Sequence, residues 1–316
     1  MTDDIPQHDW GPSSAGWSED STRVDLFVLG ALTIDSFGRR RAPGGSVLHA
    51  ARGASLAGFT VAVATIAGDE PEATAGIEEL ARLAVLHVQR ARATVRFRHT
   101  TTRSRRLLHL DSRAAPLKVT QSMLDLAHPR AVLFAPVAGE IGPGALRLFA
   151  DAPWRPVRAA NLQGWLRRVR VGRRVIAVPI KSIGKALVRA LSAMDLLVLS
   201  REDLADDANP WHQLDELRHQ FGDRPVLVLT DSANGAWVDD SRMRYLRAGG
   251  WSKRWRQPVP RWVEGVPTVG AGDVLAGLMA VQIWLSPYLS NLKPVMVSAM
   301  EGVADLLETR RQDPMG

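Results

Sequence analysis

The tetrapeptide GAGD at residues 270–273 is the part of the sequence whose residue types and spacing best suit chemistry. Its two glycines allow a sharp turn and a close approach of the backbone to a ligand. The uncharged, mostly apolar segment that follows, residues 274–285, predicts a buried central helix that Pro287 ends. Because a helix N-terminus presents free N–H groups and the positive end of its dipole, we expect an anion site at this loop.

Asp273 supplies the acid of this loop. We expect its carboxylate to take a proton from a hydroxyl group, while the backbone N–H groups of Gly270, Ala271 and Gly272 stabilise negative charge on a phosphoryl group. That chemistry is phosphoryl transfer to an alcohol. A structural alternative stays open, in which Asp273 caps a core helix and the glycines serve packing.

Short runs rich in Val and Leu predict the strands that would carry this loop, and they lie at residues 23–35, 60–68, 131–139, 195–200 and 225–230. Such runs are typical of parallel strands buried on both faces. Apolar residues at helical spacing lie between them, at residues 46–58 with Gly58 as a C-cap, and at 183–194. This alternation predicts an α/β fold with a doubly wound, Rossmann-like, mostly parallel sheet and helices on both faces.

Residues 93–110 break this pattern, because apolar and polar side chains alternate on both sides of a polar Thr/Arg/Ser turn. The alternation predicts an antiparallel hairpin, which inside a parallel fold is an edge addition or a lid over a site. Its Arg103, Arg105 and Arg106 could meet phosphates, although solvent-exposed charge is the simpler role.

The composition excludes several classes of protein. The 316 residues include no cysteine, so disulfides and thiolate zinc sites are absent. The first 22 residues are polar, without the features of a secretory signal, and we expect a flexible tail there, a second short tail at 311–316 and a cytoplasmic location. The net charge of +7 comes mostly from arginine, but no aromatic-basic motif accompanies it, so a nucleic-acid partner is not expected, nor is a membrane.

The GAGD tetrapeptide resembles the signature of the PfkB (ribokinase-like) carbohydrate kinases. In that family the signature is D-T-T-G-A-G-D, and residues 267–273 here are PTVGAGD. Thr268 and the last four residues match. Pro267 and Val269 replace the leading Asp and the second Thr, and this weakens the match on the nucleotide side.

An early Gly-Gly pair provides a second match to this family. Gly44 and Gly45 precede a predicted helix, with His49 in the place where the family usually has Asn, and residues 30–35 match a G-x-x-x-x-D pattern. The resemblance implies that Asp35 binds substrate hydroxyl groups, and a carboxylate can accept two hydrogen bonds from a diol. As alternatives, Asp35 is a turn residue and His49 a core histidine.

Looser matches lie on the nucleotide side. Where the family has N-x-x-E, which organises magnesium through water, this chain has Ser200 and Asp203. Where the family has T-x-G-x-x-G beside the nucleotide, Thr230 and Gly235 remain, and Ser232 replaces the middle glycine.

Residues 159–168 resemble the D-x-Q-x-x-x-R pattern of the inositol kinase-like branch, with Asn161 in the Asp place. Gln163 and Arg167 would then donate hydrogen bonds to a polyol or an anion. The alternative is a loop with a solvated arginine.

The resemblance implies a ribokinase-like domain over residues 23–310, with a small β lid, that uses ATP and Mg²⁺ to phosphorylate an alcohol group of a sugar or cyclitol, and it allows a homodimer through the lid. Asp273 would be the general base. The other implied roles are an anion hole at Gly270, Ala271 and Gly272, substrate binding by Asp35, Gly44, Gly45, His49, Gln163 and Arg167, nucleotide binding by Thr230, Ser232, Gly235 and Thr268, and contact with the metal through water by Asp203.

Two other functions stay open. The replacements on the nucleotide side also suit a ligand-binding or sensor protein on a kinase fold, with weak turnover or none. A nucleoside kinase would need aromatic side chains that stack on a base, and Phe97 and Trp165 are the candidates.

Overall fold

The computed structural model describes residues 23–101, 106–149, 154–205, 209–241, 253–286 and 291–312. The predicted N-terminal tail, most of the predicted C-terminal tail, Arg103, Arg105 and Pro287 lie outside these ranges. The predicted domain boundaries therefore stay predictions.

The strands within the described residues are β1 (Leu26–Ala31), β2 (Thr33–Phe37), β3 (Arg40–Gly44), β4 (Val61–Ala67), β5 (Val85–Arg90), β6 (Val95–Thr101), β7 (Arg106–Ser112), β8 (Ala131–Phe134), β9 (Val157–Asn161), β10 (Arg167–Arg168), β11 (Arg173–Arg174), β12 (Ile176–Ala177), β13 (Leu196–Ser200), β14 (Val226–Thr230), β15 (Ala236–Asp240) and β16 (Lys253–Gln257). The α-helices are α1 (Ser46–Leu56), α2 (Pro71–Leu83), α3 (Gln121–Ala127), α4 (Pro143–Leu148), α5 (Lys185–Leu191), α6 (Pro210–Phe221), α7 (Ala271–Leu285) and α8 (Lys293–Gln312).

Nine strands form one large sheet in the order β16-β15-β14-β13-β9-β8-β1-β4-β5. Neighbours from β14 to β5 pair in parallel, whereas β15 and β16 extend the β14 edge in antiparallel fashion. The apolar runs in the sequence predicted β1, β4, β8, β13 and β14. They missed β9, whose run is interrupted by Arg158, a buried residue that donates to the carbonyl of Ala193 at 2.6 Å.

Two apolar layers enclose this sheet. Buried side chains on one face pack against α1, α7 and α8, and those on the other face pack against α3 to α6. The predicted doubly wound α/β architecture is therefore confirmed. None of the helices in the described part of the chain is both long enough and apolar enough to cross a bilayer.

The predicted hairpin is present as β6 and β7, which pair antiparallel. It belongs to a second sheet of five strands in the order β11-β7-β6-β2-β3. Strand β2 follows β1 after a single residue and pairs with β6 in parallel, so the small sheet is joined directly to the large one.

Helix α7 begins at Ala271, three residues earlier than the apolar segment predicted. Gly270 is its N-cap residue, with a left-handed φ of 82° and no side-chain capping bond. This glycine conformation lets the chain turn directly into the helix. Asp273 therefore lies in the first helical turn, and the capping alternative for it is wrong.

Candidate active site

A cavity of about 450 Å³ lies at the carboxyl ends of β9, β13 and β14, beneath the small sheet. This edge is the usual binding position in open α/β sheets. The predicted site residues that line it are Asp35, Gly45, His49, Gln163, Arg167, Asp203, Thr230, Ser232, Thr268, Gly270, Ala271, Gly272 and Asp273. Side chains and loops far apart in the sequence thus share one cavity.

Gly44 and Gly235 are not among the described residues that line the cavity. Gly44 lies directly behind Asp35, since a Cβ atom on it would be 2.2 Å from Oδ2 of that carboxylate. Gly235 lies in the turn from β14 to β15, where its carbonyl accepts from the N–H of Asp231 at 2.8 Å. Both glycines support neighbouring residues of the cavity wall.

Asp273 is half-buried and surrounded by hydrogen-bond donors. Its Oδ1 accepts from Nδ2 of Asn161 at 2.6 Å and from Nε2 of Gln163 at 3.3 Å, and Gln163 also donates to Oγ of Ser46 at 2.5 Å. Burial raises the pKa of Asp273 to about 6, although a hydrogen bond from Ser46 and the charge of Arg167 oppose the shift. A carboxyl group with this pKa is ionised at neutral pH and can still accept a proton readily.

The backbone amides beside Asp273 are only partly available to a ligand. The N–H of Ala271 donates to the carbonyl of Thr268 at 3.1 Å, and the N–H of Asp273 donates to the carbonyl of Gly270 at 3.0 Å. Within the described residues, the N–H groups of Gly270 and Gly272 have no intramolecular acceptor. These two N–H groups, at the positive end of α7, are therefore the stronger candidates for an anion hole.

The small sheet forms the wall of the cavity around Asp35. The Oδ1 atom of Asp35 lies 3.3 Å from Nε2 of His99 on β6. Apolar side chains complete this wall, among them Phe97, Leu108 and Val137. The combination of a carboxylate, a polar ring and apolar surface suits a small hydroxylated molecule.

His49 packs against the loop that opens α7. A Cβ atom on Gly270 would lie 2.2 Å from Cγ of His49, so the ring and the glycine backbone are in direct contact. Burial, with the positive charges of Arg310 and Arg52, lowers the pKa of His49 to about 3. Nη2 of Arg310 lies 3.1 Å from Nδ1 of His49. Because a guanidinium only donates, Nδ1 accepts and Nε2 of the neutral ring carries the proton.

Arg167 and Asp203 form an ion pair inside the cavity. Nε and Nη2 of Arg167 donate to Oδ1 of Asp203 at 2.9 and 2.5 Å, and the Asp203 side chain is 5% exposed. The sequence predicted a substrate contact for the arginine and a metal contact for the carboxylate. In the structure, each is the other's partner.

The remaining wall lies between β14, the loop at residues 258–268 and the C-terminal helix α8. Thr230, Ser232, Arg261 and Thr268 supply its polar groups. Ser232 keeps a left-handed φ of 43°, which suits the glycine that it replaces in the family pattern. The apolar lining of this wall consists of Val259, Trp262, Val263, Met300, Val303, Ala304 and Leu307.

Several cavity residues were missed by sequence reasoning. Met300, Val303, Ala304 and Leu307 lie at helical spacing on α8, a pattern that also occurs in any core-facing helix. His99 belongs to the predicted hairpin but carried no motif. Trp165, a candidate for stacking on a base, is not among the described lining residues, and its Nε1 donates to the carbonyl of Ile141 at 2.8 Å.

The likeness of this protein to known proteins lies in its structure. No family model matches the sequence, and no curated protein matches it. Two solved structures superpose with 18% identity. One is a pyrophosphate-dependent myo-inositol-1 kinase converted into a myo-inositol-3 kinase. The superposition covers 89% of this chain and 92% of that chain, with a TM-score of 0.67. The other is a pyrophosphate-dependent kinase in the ribokinase family complexed with a pyrophosphate analog and myo-inositol, covering 91% and 95% with a TM-score of 0.65.

A further similar structure is that of Arabidopsis thaliana ribokinase complexed with ribose and ATP. It is 13% identical, covers 91% of this chain and 93% of its own, and has a TM-score of 0.62. These likenesses extend over nearly the whole described chain. They show that the chain has the ribokinase-like α/β fold.

Proposed function

We propose that this protein is a kinase of the PfkB (ribokinase-like) family that transfers the γ-phosphoryl group of ATP to a hydroxyl group of a sugar or cyclitol. One observation carries the proposal. Asp273 and the N–H groups of Gly270 and Gly272, which have no acceptor among the described residues, lie in one cavity, between the wall around Asp35 and the wall around Thr230.

Asp273 acts as the general base. Its pKa of about 6 keeps it ionised at neutral pH, so it takes the proton as the acceptor oxygen attacks the γ-phosphorus. The bond between that phosphorus and the bridging oxygen breaks, and ADP leaves with the bond electrons. The N–H groups of Gly270 and Gly272 stabilise the charge that develops on the transferred group.

The acceptor that suits the cavity is an uncharged polyol. On the wall formed by the small sheet, the ionised group is Asp35, and a carboxylate repels a phosphorylated or acidic acceptor. Arg167 is already paired with Asp203. The neighbours that bind myo-inositol and ribose have acceptors of this class.

The phosphoryl donor that suits the cavity is a nucleotide. The wall between the loop at 258–268 and α8 is mostly apolar, with Arg261 and Thr268 as its polar members, and it could cover the faces of a base and a ribose. Pyrophosphate, the donor of two structural neighbours, has no surface that needs such a wall. We therefore expect ATP to be used in preference to pyrophosphate.

Mg²⁺ fits this site as an ion carried by the donor phosphates. Among the described residues, no group of three or more His, Cys, Asp or Glu side chains could hold a metal ion. Asp203 lines the cavity and would reach such an ion through water, which is the binding that Mg²⁺ commonly adopts with phosphates. Bound Mg²⁺ would neutralise the charge of the phosphates.

The second candidate is a binding protein with weak turnover or none. The ion pair between Arg167 and Asp203 favours it, because the guanidinium offsets the negative charge with which Asp203 would attract a metal ion. A nucleoside acceptor has less support, since Phe97 lines the cavity but Trp165 does not. The cytoplasmic location and the homodimer through the lid stay predictions.

The test is ADP release from ATP and Mg²⁺ in the presence of single sugars, cyclitols and nucleosides, with pyrophosphate as a competing donor. We expect release that depends on the acceptor and that Asp273→Asn lowers by at least about a hundredfold. Asp215→Asn is the matched control, because this exposed aspartate on α6 pairs with Arg254 outside the cavity. Acceptor binding without ADP release in any combination would favour the binding protein.

A further inference from the structure

His99 is a polar side chain that is buried against the cavity and has no hydrogen-bond partner within the described part of the chain. Its side chain is 8% exposed, and it lines the cavity on the same wall as Asp35. Neither Nδ1 nor Nε2 forms a hydrogen bond with a described residue. A buried polar group without a partner is costly, and native proteins retain such groups rarely and usually for a reason.

The orientation of the ring is held by its neighbours in the small sheet. His99 lies opposite Phe37 on β2 and Leu108 on β7. The imidazole stacks on the ring of Phe37, with centroids 4.3 Å apart and planes 18° from parallel. Phe37 therefore covers one face of the imidazole and fixes the plane of the ring, in which both nitrogen atoms lie.

The carboxylate of Asp35 lies beside Nε2 of His99. Its Oδ1 is 3.3 Å from Nε2 of His99, yet the two do not form a hydrogen bond. Gly44 provides the space for this carboxylate, because any Cβ there would collide with Oδ2. A ligand that reaches this position therefore meets a carboxylate and an imidazole together.

A hydroxyl group is the ligand that satisfies both. It can donate its proton to the carboxylate and accept a hydrogen bond from the imidazole. Alternatively, a neighbouring hydroxyl group of the same ligand can donate to the imidazole. A phosphate group would be repelled by Asp35. Two side chains are also too few to hold a metal ion, in agreement with the lack of a metal cluster among the described residues.

We propose that His99 determines acceptor specificity, because together with Asp35 it binds a hydroxyl group, or two adjacent ones, of a neutral polyol. This inference rests on the proposed function for its choice of ligand. It adds to the acceptor site a residue of the small sheet that no sequence motif identified.

The test is acceptor binding in the absence of ATP, measured by calorimetry with myo-inositol and with D-ribose. His99→Phe keeps a ring that can stack on Phe37 but removes both nitrogens. We expect the His99→Phe variant to bind about tenfold more weakly to whichever polyol the unmodified protein binds. His99→Gln restores a donor and an acceptor, and we expect it to recover most of that loss.

His109→Phe is the matched control. His109 is also a histidine of the small sheet, but it follows Leu108 on β7 and is not among the described residues that line the cavity. We expect the His109→Phe variant to bind the polyol as tightly as the unmodified protein does. In turnover, His99→Phe should raise the KM for the acceptor and leave kcat within a factor of about three, which a general loss of folding would not do.

The outcomes separate this inference from the proposed function. If ADP release depends on an acceptor but His99→Phe leaves its affinity and KM unchanged, the role of His99 is wrong and the kinase stands. If no ADP forms but His99→Phe still weakens polyol binding and His99→Gln restores it, the role of His99 stands and the kinase does not. Binding of neither polyol to the unmodified protein would overturn the inference.

Discussion

Nη2 of Arg310, near the end of α8, lies 3.1 Å from Nδ1 of His49 on α1. The same guanidinium donates through Nη1 to the carbonyl of Val269 at 2.8 Å, one residue before the glycine that opens α7. The C-terminal helix is therefore tied to both the loop and the histidine that packs on it. This contact joins α8 to α1 beside the loop that opens α7.

The first prediction concerns this contact. Arg310→Gln should lower kcat by about tenfold, because the loop that carries the N–H groups of Gly270 and Gly272 loses its support and moves away from the geometry that stabilises charge. Arg311→Gln is the control, since this neighbouring arginine is exposed and pairs with Glu308. Steady-state kinetics of both variants would check the prediction, and equal kcat values would contradict it.

The second prediction concerns pH. With the pKa of Asp273 at about 6, kcat should fall as the pH drops through 6, because the base becomes protonated. Asn161→Ala removes a donor that stabilises the ionised carboxylate, so the fall should move to higher pH. Profiles of kcat between pH 5 and 8 would measure the shift, and movement in the opposite direction would exclude Asp273 as the titrating group.

The third prediction concerns stability. The pKa of Asp273 rises from 3.8 to about 6 on folding, so the folded protein binds this proton more tightly than the unfolded chain. That contribution is complete below pH 3.8 and is lost as the pH rises through 6. At pH 8, Asp273→Asn should therefore raise the Tm by about 2 °C or more, and at pH 5 the difference should shrink. Thermal melts at both pH values would test this, and a lower Tm at pH 8 would refute it.

The fourth prediction concerns the apolar wall on α8. Val303→Phe adds a ring to this wall and should raise the KM for ATP by about tenfold, while the affinity for the acceptor stays unchanged. Val171→Phe is the control, because Val171 is 58% exposed and is not among the described residues that line the cavity. If the KM for ATP did not change, the nucleobase of ATP would have to bind elsewhere or the donor would not be a nucleotide.

Much of the fold followed from local patterns. Short Val- and Leu-rich runs predicted five strands of the large sheet, because strands buried on both faces need apolar residues at nearly every position. Strand β5 was missed because its residues are only half-buried. Strand β9 was missed because Arg158 interrupts its apolar run, although this arginine is buried and held by the carbonyl of Ala193 and the carboxylate of Asp195. The early start of α7 depended on the left-handed conformation of Gly270, which a glycine permits but does not require.

The amino-acid sequence alone was enough to predict the alternation of strands and helices, the GAGD loop before a buried helix and thirteen of the residues that line the cavity. Residue type and spacing predicted the strands, the helices and the GAGD loop, whereas the resemblance to the PfkB kinases implied most of the other site residues. Which distant side chains meet followed from the folded structure. The contacts of Arg310 with His49, Arg167 with Asp203 and His99 with Asp35 join separate elements, and their geometry arises from the packing of those elements.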